Sequence, residues 1–201
     1  APLVLTYHTK YDVDIAKAVC GKLLQESAIR ALVQNIASCD EVWVVSRGAG
    51  ENLRSLGYEG DYIVMENGVD VPRGRVSDEA IAAATGRYDL PQNVPVFLFV
   101  GRLMWYKGIR IILDALKTLC EKNVDFRMVF VGEGADGAEI RSYAEERKLS
   151  DRCFFTGAIS DREIIRAWYG RSDLFLFPST FDTNGLVVRE AAASGTATVM
   201  I

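Results

Sequence analysis

The sequence predicts an α/β protein made of two units with parallel sheets. Three observations lead there. Short, almost continuously apolar runs, rich in β-branched and aromatic residues, recur at strand length. Longer segments with helical apolar spacing separate them. In the second half, Gly101, Gly132, Gly157 or Pro178 stands at or just beyond the end of each of four such runs. Strands that are apolar along their whole length are buried on both faces, as in parallel sheets flanked by helices.

Taken in order, residues 3–6 read as a strand and 12–36 as one helical pattern with Ile15, Ala18, Val19 and Leu23 on a stripe. Strands follow at 41–45 and 63–65, then a turn signal at Asn67-Gly68. Ser77 opens a helix over 77–87, with Asp78 and Glu79 favourable in its first turn. The 71–95 stretch holds three of the five prolines and reads as a crossover between units. A second series then runs strand 96–100, helix 109–122, strand 127–131, helix 138–148, strand 153–156, helix 160–169, strand 174–177, helix 186–193 and strand 198–201. Ile112, Ala115, Leu116 and Leu119 mark one face of the 109–122 helix. Ser160 and Glu163 have capping-box spacing for the 160–169 helix. The expected division is 1–70 and 71–201, the first unit thin and strand-like segments close to both ends, as in a fragment of a longer protein.

Composition narrows the function. The chain has 201 residues, 23 basic and 27 acidic, for a net charge of −4. Residues 1–70 hold 6 basic and 10 acidic residues and the remainder 17 of each, so no segment reads as a nucleic-acid or polybasic membrane patch. No apolar run nears the ~18 residues of a membrane helix. Cys20, Cys39, Cys120 and Cys153 are scattered and His8 is the single histidine, which argues against a zinc site and for reduced, core-type cysteines in a cytoplasmic setting.

Ligands of open α/β sheets bind beyond the carboxyl ends of the strands, so the loops there carry the candidates. After 96–100 come Gly101-Arg102-Leu103 and Lys107-Gly108. A glycine that allows close approach and two cations near a helix N-terminus suit a diphosphate. The same residues also suit an ordinary loop with two solvated cations. After 127–131, Gly132-Glu133-Gly134-Ala135-Asp136-Gly137 matches Gly-x-Gly-x-x-Gly. The acid that should close the next strand in a dinucleotide site is missing there. After 174–177, Asp182 and Glu190 stand eight positions apart, with Asn184, Gly185 and Leu186 opening a helix between them. That places two carboxylates and a set of amides at one cleft, or a helix cap and a solvated acid. Asp12-Val13-Asp14 could hold a metal but also opens a helix, where carboxylates are favoured anyway. His8 follows the first strand, as a ligand group or a packed histidine.

In this order, Tyr7-His8-Thr9, Val44-Val45-Ser46, Asn67-Gly68-Val69-Asp70, Gly101-Arg102-Leu103 with Lys107-Gly108, Val131-Gly132-Glu133-Gly134, Phe155-Thr156-Gly157 and the block from Phe177-Pro178-Ser179 through Gly185-Leu186-Val187 to Glu190-Ala191 resemble the retaining, nucleotide-sugar-dependent glycosyltransferases of the GT-B type, family 4 or "group 1". The resemblance covers nearly the whole chain. It implies two Rossmann-like units facing a cleft, 1–70 on the acceptor side and 71–201 binding the donor. It assigns Arg102 and Lys107, with Gly101, to the donor diphosphate and Glu190 to the ribose. Asp182 goes to the sugar hydroxyls and the amides of Asn184, Gly185 and Leu186 to sugar and phosphate. Glu133 joins the donor set, Ala158 and Ile159 lie near the base, and His8 reaches the reaction centre. It further implies a hexosyl transfer to an acceptor hydroxyl without metal or other cofactor, by same-face attack with retention. The acceptor stays open among glycan, lipid and small molecule, as does a position peripheral to the inner membrane face. Two departures stand out: Asp182 replaces the usual Glu, and Asn184 stands where an aromatic is common. The shorter acid reaches about 1.5 Å less. A nicotinamide oxidoreductase or epimerase built on the 132–137 loop, and a non-catalytic nucleotide-sugar-binding fragment, are the competing readings.

Overall fold

The computed structural model describes residues 1–180, 182 and 184–201, and of Lys17 only the backbone. Phe181 and Thr183, part of the last sequence block, lie outside the described residues. The chain forms two compact units, one of Ala1–Gly68 with Asp182–Gly185, the other of Val69–Phe181 with Leu186–Ile201.

In the first unit, β1 (Val4–Tyr7), β2 (Glu41–Val44) and β3 (Ile63–Val64) pair in parallel in that order. The single helix expected over 12–36 is two, α1 (Tyr11–Ala18) and α2 (Lys22–Ala37). The break falls at Gly21, whose φ of +97° no helix tolerates. The predicted stripe fails with it, since Leu23 is 79% exposed. A further helix, α3 (Arg47–Ser55), was not expected from Gly48 and Gly50, each worth about 1 kcal/mol against a helix. Ser46 offsets this by accepting from Ala49 N at 3.1 Å. A Cβ on Gly50 would fall 2.5 Å from Tyr62 Cζ, so the glycine lets the Tyr62 ring lie against the helix. The core gathers Tyr7, Ile36, Val42, Val44, Leu53 and neighbours, and Tyr7 Oη donates to Asn52 Oδ1 at 2.7 Å. No turn is assigned at Asn67-Gly68, where the chain is irregular.

The second unit holds β4 (Val96–Val100), β5 (Arg127–Val131), β6 (Cys153–Gly157), β7 (Leu174–Phe177) and β8 (Ala197–Met200), all parallel in the order β6-β5-β4-β7-β8. Its helices are α4 (Asp78–Thr85), α5 (Ile109–Glu121), α6 (Gly137–Glu146), α7 (Arg162–Arg171) and α8 (Leu186–Ala193), with a 3-10 turn at Trp105–Lys107. Two-residue alternation explains why the strands read as unbroken apolar runs. Phe99, Met128 and Phe130 pack into a core with Ile109, Ile112, Leu116 and Ile140 of α5 and α6. Val96, Leu98, Val100, Val129 and Val131 point the other way, toward Trp168, Tyr169 and Ala191 of α7 and α8. On α5 the buried face includes Leu113, while Ala115 is exposed. Ser77 caps α4 as predicted, accepting from Ala80 N. The cap of α7 is Asp161 rather than Ser160, because its carboxylate reaches the Glu163 and Ile164 N–H groups. The cysteines split: Cys153 is buried, Cys39 and Cys120 are half-buried, and Cys20 is exposed and not a core residue.

β4 is central. The chain leaves it through β5 to β6 on one side and returns on the other with β7 and β8, so the strand order reverses between β4 and β7. This is where open α/β sheets place ligands. The loops beyond the carboxyl ends there touch backbone to backbone. Gly101 N donates to Val131 O and Leu103 N to Glu133 O, both at 3.0 Å. A Cβ on Gly132 would fall 2.0 Å from Gly101 O, and its φ is +135°.

Gly132→Ala should lower the urea stability of the second unit by about 2–4 kcal/mol. Gly48→Ala, with open space around it, should leave stability unchanged or raise it by about 0.5–1 kcal/mol; equal effects would contradict the packing. Burial, helped by the neighbouring Cys120, pushes the Cys153 thiol from 9.0 up to about 12. The folded protein keeps that proton while the unfolded chain releases it, so the stability is present below pH 9 and is lost as pH rises toward 12. Iodoacetamide at pH 8.5 should label Cys20 in the native protein and Cys153 only after denaturation, read by peptide mass.

Candidate functional site

Arg102 and Lys107 both leave the loop beyond β4, and the structure brings them together on one side chain. The Arg102 guanidinium donates to Tyr106 Oη at 2.7 Å, and Lys107 Nζ lies 5.5 Å over the Tyr106 ring. Tyr106 carries no motif signal; a phenol between two cations is visible only once the 3-10 turn forms. The turn closes with Lys107 N donating to Met104 O at 3.0 Å and Gly108 N to Trp105 O at 3.1 Å. Gly108, in the left-handed region at φ +76°, then starts α5. A Cβ on it would lie 2.2 Å from Pro178 O. The loop beyond β4 therefore rests directly on the loop beyond β7.

The 132–137 loop is committed differently from a dinucleotide site. Gly132 and Gly134 make room for the backbone of Gly101 and Leu103, not for a ligand. The first two glycines of the spacing are thus explained by loops packing on one another. Glu133 is exposed, and its Oε1 would lie 3.2 Å from a Cβ on Gly157. Next along, Ala158 is exposed and Ile159 packs on the α7–α8 core.

Glu190 is half-buried on α8. Tyr169 Oη lies 3.1 Å from Val187 O and 3.4 Å from Glu190 Oε2, so its proton is shared between them. Burial first, and then the Glu190 charge, holds the Tyr169 hydroxyl well above its ordinary value. It stays a donor to the carboxylate. With Val71, Arg162, Ile165 and Arg166, these two residues line a small cleft. The sequence marks Tyr169 only as the end of the 160–169 helix and gives no sign of the contact its hydroxyl makes.

The remaining candidates are placed as follows. Leu186 is 39% exposed at the first position of α8. Asp182, Asn184 and Gly185 group with the first unit. Asn184 is half-buried, with neither its amide nitrogen nor its amide oxygen hydrogen-bonded among the described residues. His8 belongs to the first unit, exposed just beyond β1, with Thr9 Oγ1 3.3 Å from its Nδ1. Asp12 and Asp14 lie in the first turn of α1. A cavity of about 790 Å³ lies at the opposite, amino-terminal ends of β7 and β8, lined by Asp173, Ser194 and Thr196 among others. It is on the wrong edge of the sheet for the rule that located the loops. Among the described residues no helix is long and apolar enough to cross a membrane.

Comparison with known proteins bears on the family and the fold. The chain is 31% identical over 210 residues to a D-inositol 3-phosphate glycosyltransferase of Xylanimonas cellulosilytica, covering 98% of this chain and 49% of that protein. It is 24% identical to an alpha-monoglucosyldiacylglycerol synthase of Streptococcus pneumoniae, covering 97% of this chain and 45% of the relative. Among solved structures, a sucrose-phosphate synthase of Thermosynechococcus elongatus superposes with a TM-score of 0.77 at 27% identity, over 98% of this chain and 49% of that one. The Anabaena protein HepE, solved with UDP and glucose, shares the fold at TM-score 0.78 and 23% identity, over 99% of this chain and 52% of that one. The chain thus spans about half the length of these relatives. The model of "Glycosyl transferases group 1" matches residues 82–201, and with it the parallel α/β architecture and the relatives agree: the chain belongs to that glycosyltransferase family.

Proposed function

We propose that this chain carries the nucleotide-diphosphate-sugar site of a glycosyltransferase that moves a hexose to an acceptor hydroxyl with retention of configuration. One observation carries the reading: Arg102 and Lys107 converge on Tyr106 at the carboxyl end of the central strand, beside the point where strand order reverses. Two cations held there by a neutral aromatic suit a diphosphate leaving group. Negative charge grows on that group as the glycosidic bond breaks, so fixed cations stabilise the transition state more than the bound donor. Glu190, oriented by Tyr169, suits the ribose hydroxyls. Asp182, the amides of Asn184, Gly185 and Leu186, Glu133 and, from the first unit, His8 complete the proposed donor and sugar contacts. In this reading the chain's own cations supply the leaving-group stabilisation, and no metal or cofactor is assigned. The acceptor hydroxyl belongs to a glycan, a lipid or a small molecule; the relatives include a D-inositol 3-phosphate glycosyltransferase and an alpha-monoglucosyldiacylglycerol synthase.

A thermal-shift panel of UDP, GDP and ADP sugars tests the donor class. The preferred donor at 100 times its Kd should stabilise the protein by about 2.7 kcal/mol. A shift with NAD and none with any sugar nucleotide would overturn the reading. Steady-state kinetics on the intact enzyme tests the roles. Arg102→Ala and Lys107→Ala should each lower kcat by about 10²–10³. Arg102→Lys should recover only part, because a point charge does not reproduce a planar two-pronged contact. Glu190→Gln should raise the donor KM more than it lowers kcat, since the ribose does not change charge during transfer. An unchanged kcat in Arg102→Ala would make the basic loop purely structural.

A further inference from the structure

We propose that Asp136 is a positioning residue for the transfer step, acting through the 3-10 turn that carries Lys107. The inference rests on the reading of Lys107 as a diphosphate ligand. Asp136 stands at the N-cap of α6, where an aspartate usually accepts from the N–H groups of its own helix. It makes no such bond. Its Oδ2 instead accepts from Trp105 N at 2.8 Å, 31 positions away. Trp105 is the first residue of the 3-10 turn, so its N–H is one of the donors a helix start leaves without an internal partner. Asp136 therefore caps a turn in the neighbouring loop and leaves its own helix uncapped by its side chain.

The same turn is held from α6 a second time. Trp105 Nε1 donates to Glu139 Oε2 at 3.0 Å. The Trp105 ring lies 4.5 Å from the Arg110 guanidinium, whose distance to the Tyr143 ring is 4.4 Å. The backbone joins in, with Asp136 N donating to Leu103 O at 3.3 Å. Trp105 is thus fixed at backbone, ring nitrogen and ring face, two residues before Lys107 and one before Tyr106. The directions of Lys107 and of Tyr106, to which Arg102 is bonded, follow from where this turn sits. A displacement of the order of 1 Å in a reacting group can cost 10²-fold in rate. The 132–137 loop is, in this reading, the bracket of the basic loop.

The test is a kinetic and thermal comparison of Asp136→Ala, Asp136→Asn, Lys107→Ala and the Asp136→Ala/Lys107→Ala pair in the intact enzyme. Asp136→Ala should lower kcat by about 10- to 100-fold, with the donor KM changed less than about threefold. Asp136→Asn keeps an acceptor oxygen and should recover most of the loss. In the Lys107→Ala background, removing Asp136 should cost less than about twofold, since residues that act as a unit are not additive. Glu139→Ala, an exposed change that does not endanger folding, should show a smaller kcat loss that also disappears in the Lys107→Ala background. A full, additive cost in that background, failure of Asn to restore kcat, or an unchanged kcat in Asp136→Ala would overturn the inference while leaving the diphosphate site standing. An unchanged kcat in Lys107→Ala would instead overturn the diphosphate site itself, and the inference with it.

Discussion

The second unit depends on backbone meeting backbone beyond its sheet. At Gly132, Gly134 and Gly108, the space a Cβ would need is taken by Gly101 O, Leu103 O and Pro178 O, each nearer than 2.5 Å to the ideal Cβ position. Side chains at these three places would force the loops beyond β4, β5 and β7 apart. Without them the loops form one continuous rim, joined further by the Gly101–Val131, Leu103–Glu133 and Gly132–Gly157 hydrogen bonds. Loops are ordinarily the mobile part of an α/β protein. These instead inherit the rigidity of the strands below them, and the cations they carry inherit it in turn.

That rim needs a sheet that does not shift, and the packing supplies it. The α5–α6 side is filled by Phe99, Phe126 and Phe130, with Phe130 and Phe155 stacked at 4.8 Å. The opposite side is lined by valines and leucine from β4 and β5, against Trp168 and Tyr169. Broad aromatics on one face and β-branched residues on the other leave the register of β4 and β5 fixed over five consecutive pairs. A one-residue slip would exchange the two sets. The first unit has no such double burial: β3 is exposed at both of its residues, and Val4 of β1 is 43% exposed.

Much of this was legible in the sequence because period and punctuation are local signals. Unbroken apolar strands, the Ser77 cap and the glycine or proline at the end of each strand all lie within a few residues of the feature they predict. What failed was of two kinds. Where two local preferences compete, the pattern alone did not choose. Gly21 divides α1 from α2, α3 forms despite Gly48 and Gly50, and Asp161 takes the cap from Ser160. Where the reason for a residue is distant, the residue was found and its reason missed. The glycine spacing of the 132–137 loop stood out without the acid a dinucleotide site needs, and its first two glycines prove to admit the neighbouring loop. Tyr106, Tyr169 and Trp105 gave no signal as parts of a site, because their partners depend on a formed turn or lie 21 to 34 positions away.

The placement of carboxylates around the basic loop has its own electrostatic logic. Behind the loop, Asp114 accepts from Tyr143 Oη at 2.8 Å and from Arg147 Nε at 2.6 Å. Burial raises the Asp114 carboxyl, but these two hydrogen bonds outweigh it and hold it below the usual range, so it stays charged beside Arg147 and near Arg110. Arg147 is therefore paired within the fold, and the two arginines serve as packing surfaces for Trp105 and Tyr143. On the side of the proposed donor, the bond from Arg102 goes to a neutral phenol. Asp136, close by in the chain fold, places its carboxylate oxygen on a backbone N–H. The bond to the Trp105 N–H, two residues before Lys107, fixes where the lysine leaves the backbone. Position is thus set by two acids, Asp136 and Glu139, holding Trp105, while the bases of the same short segment meet at Tyr106, so one turn is both rigid and cationic.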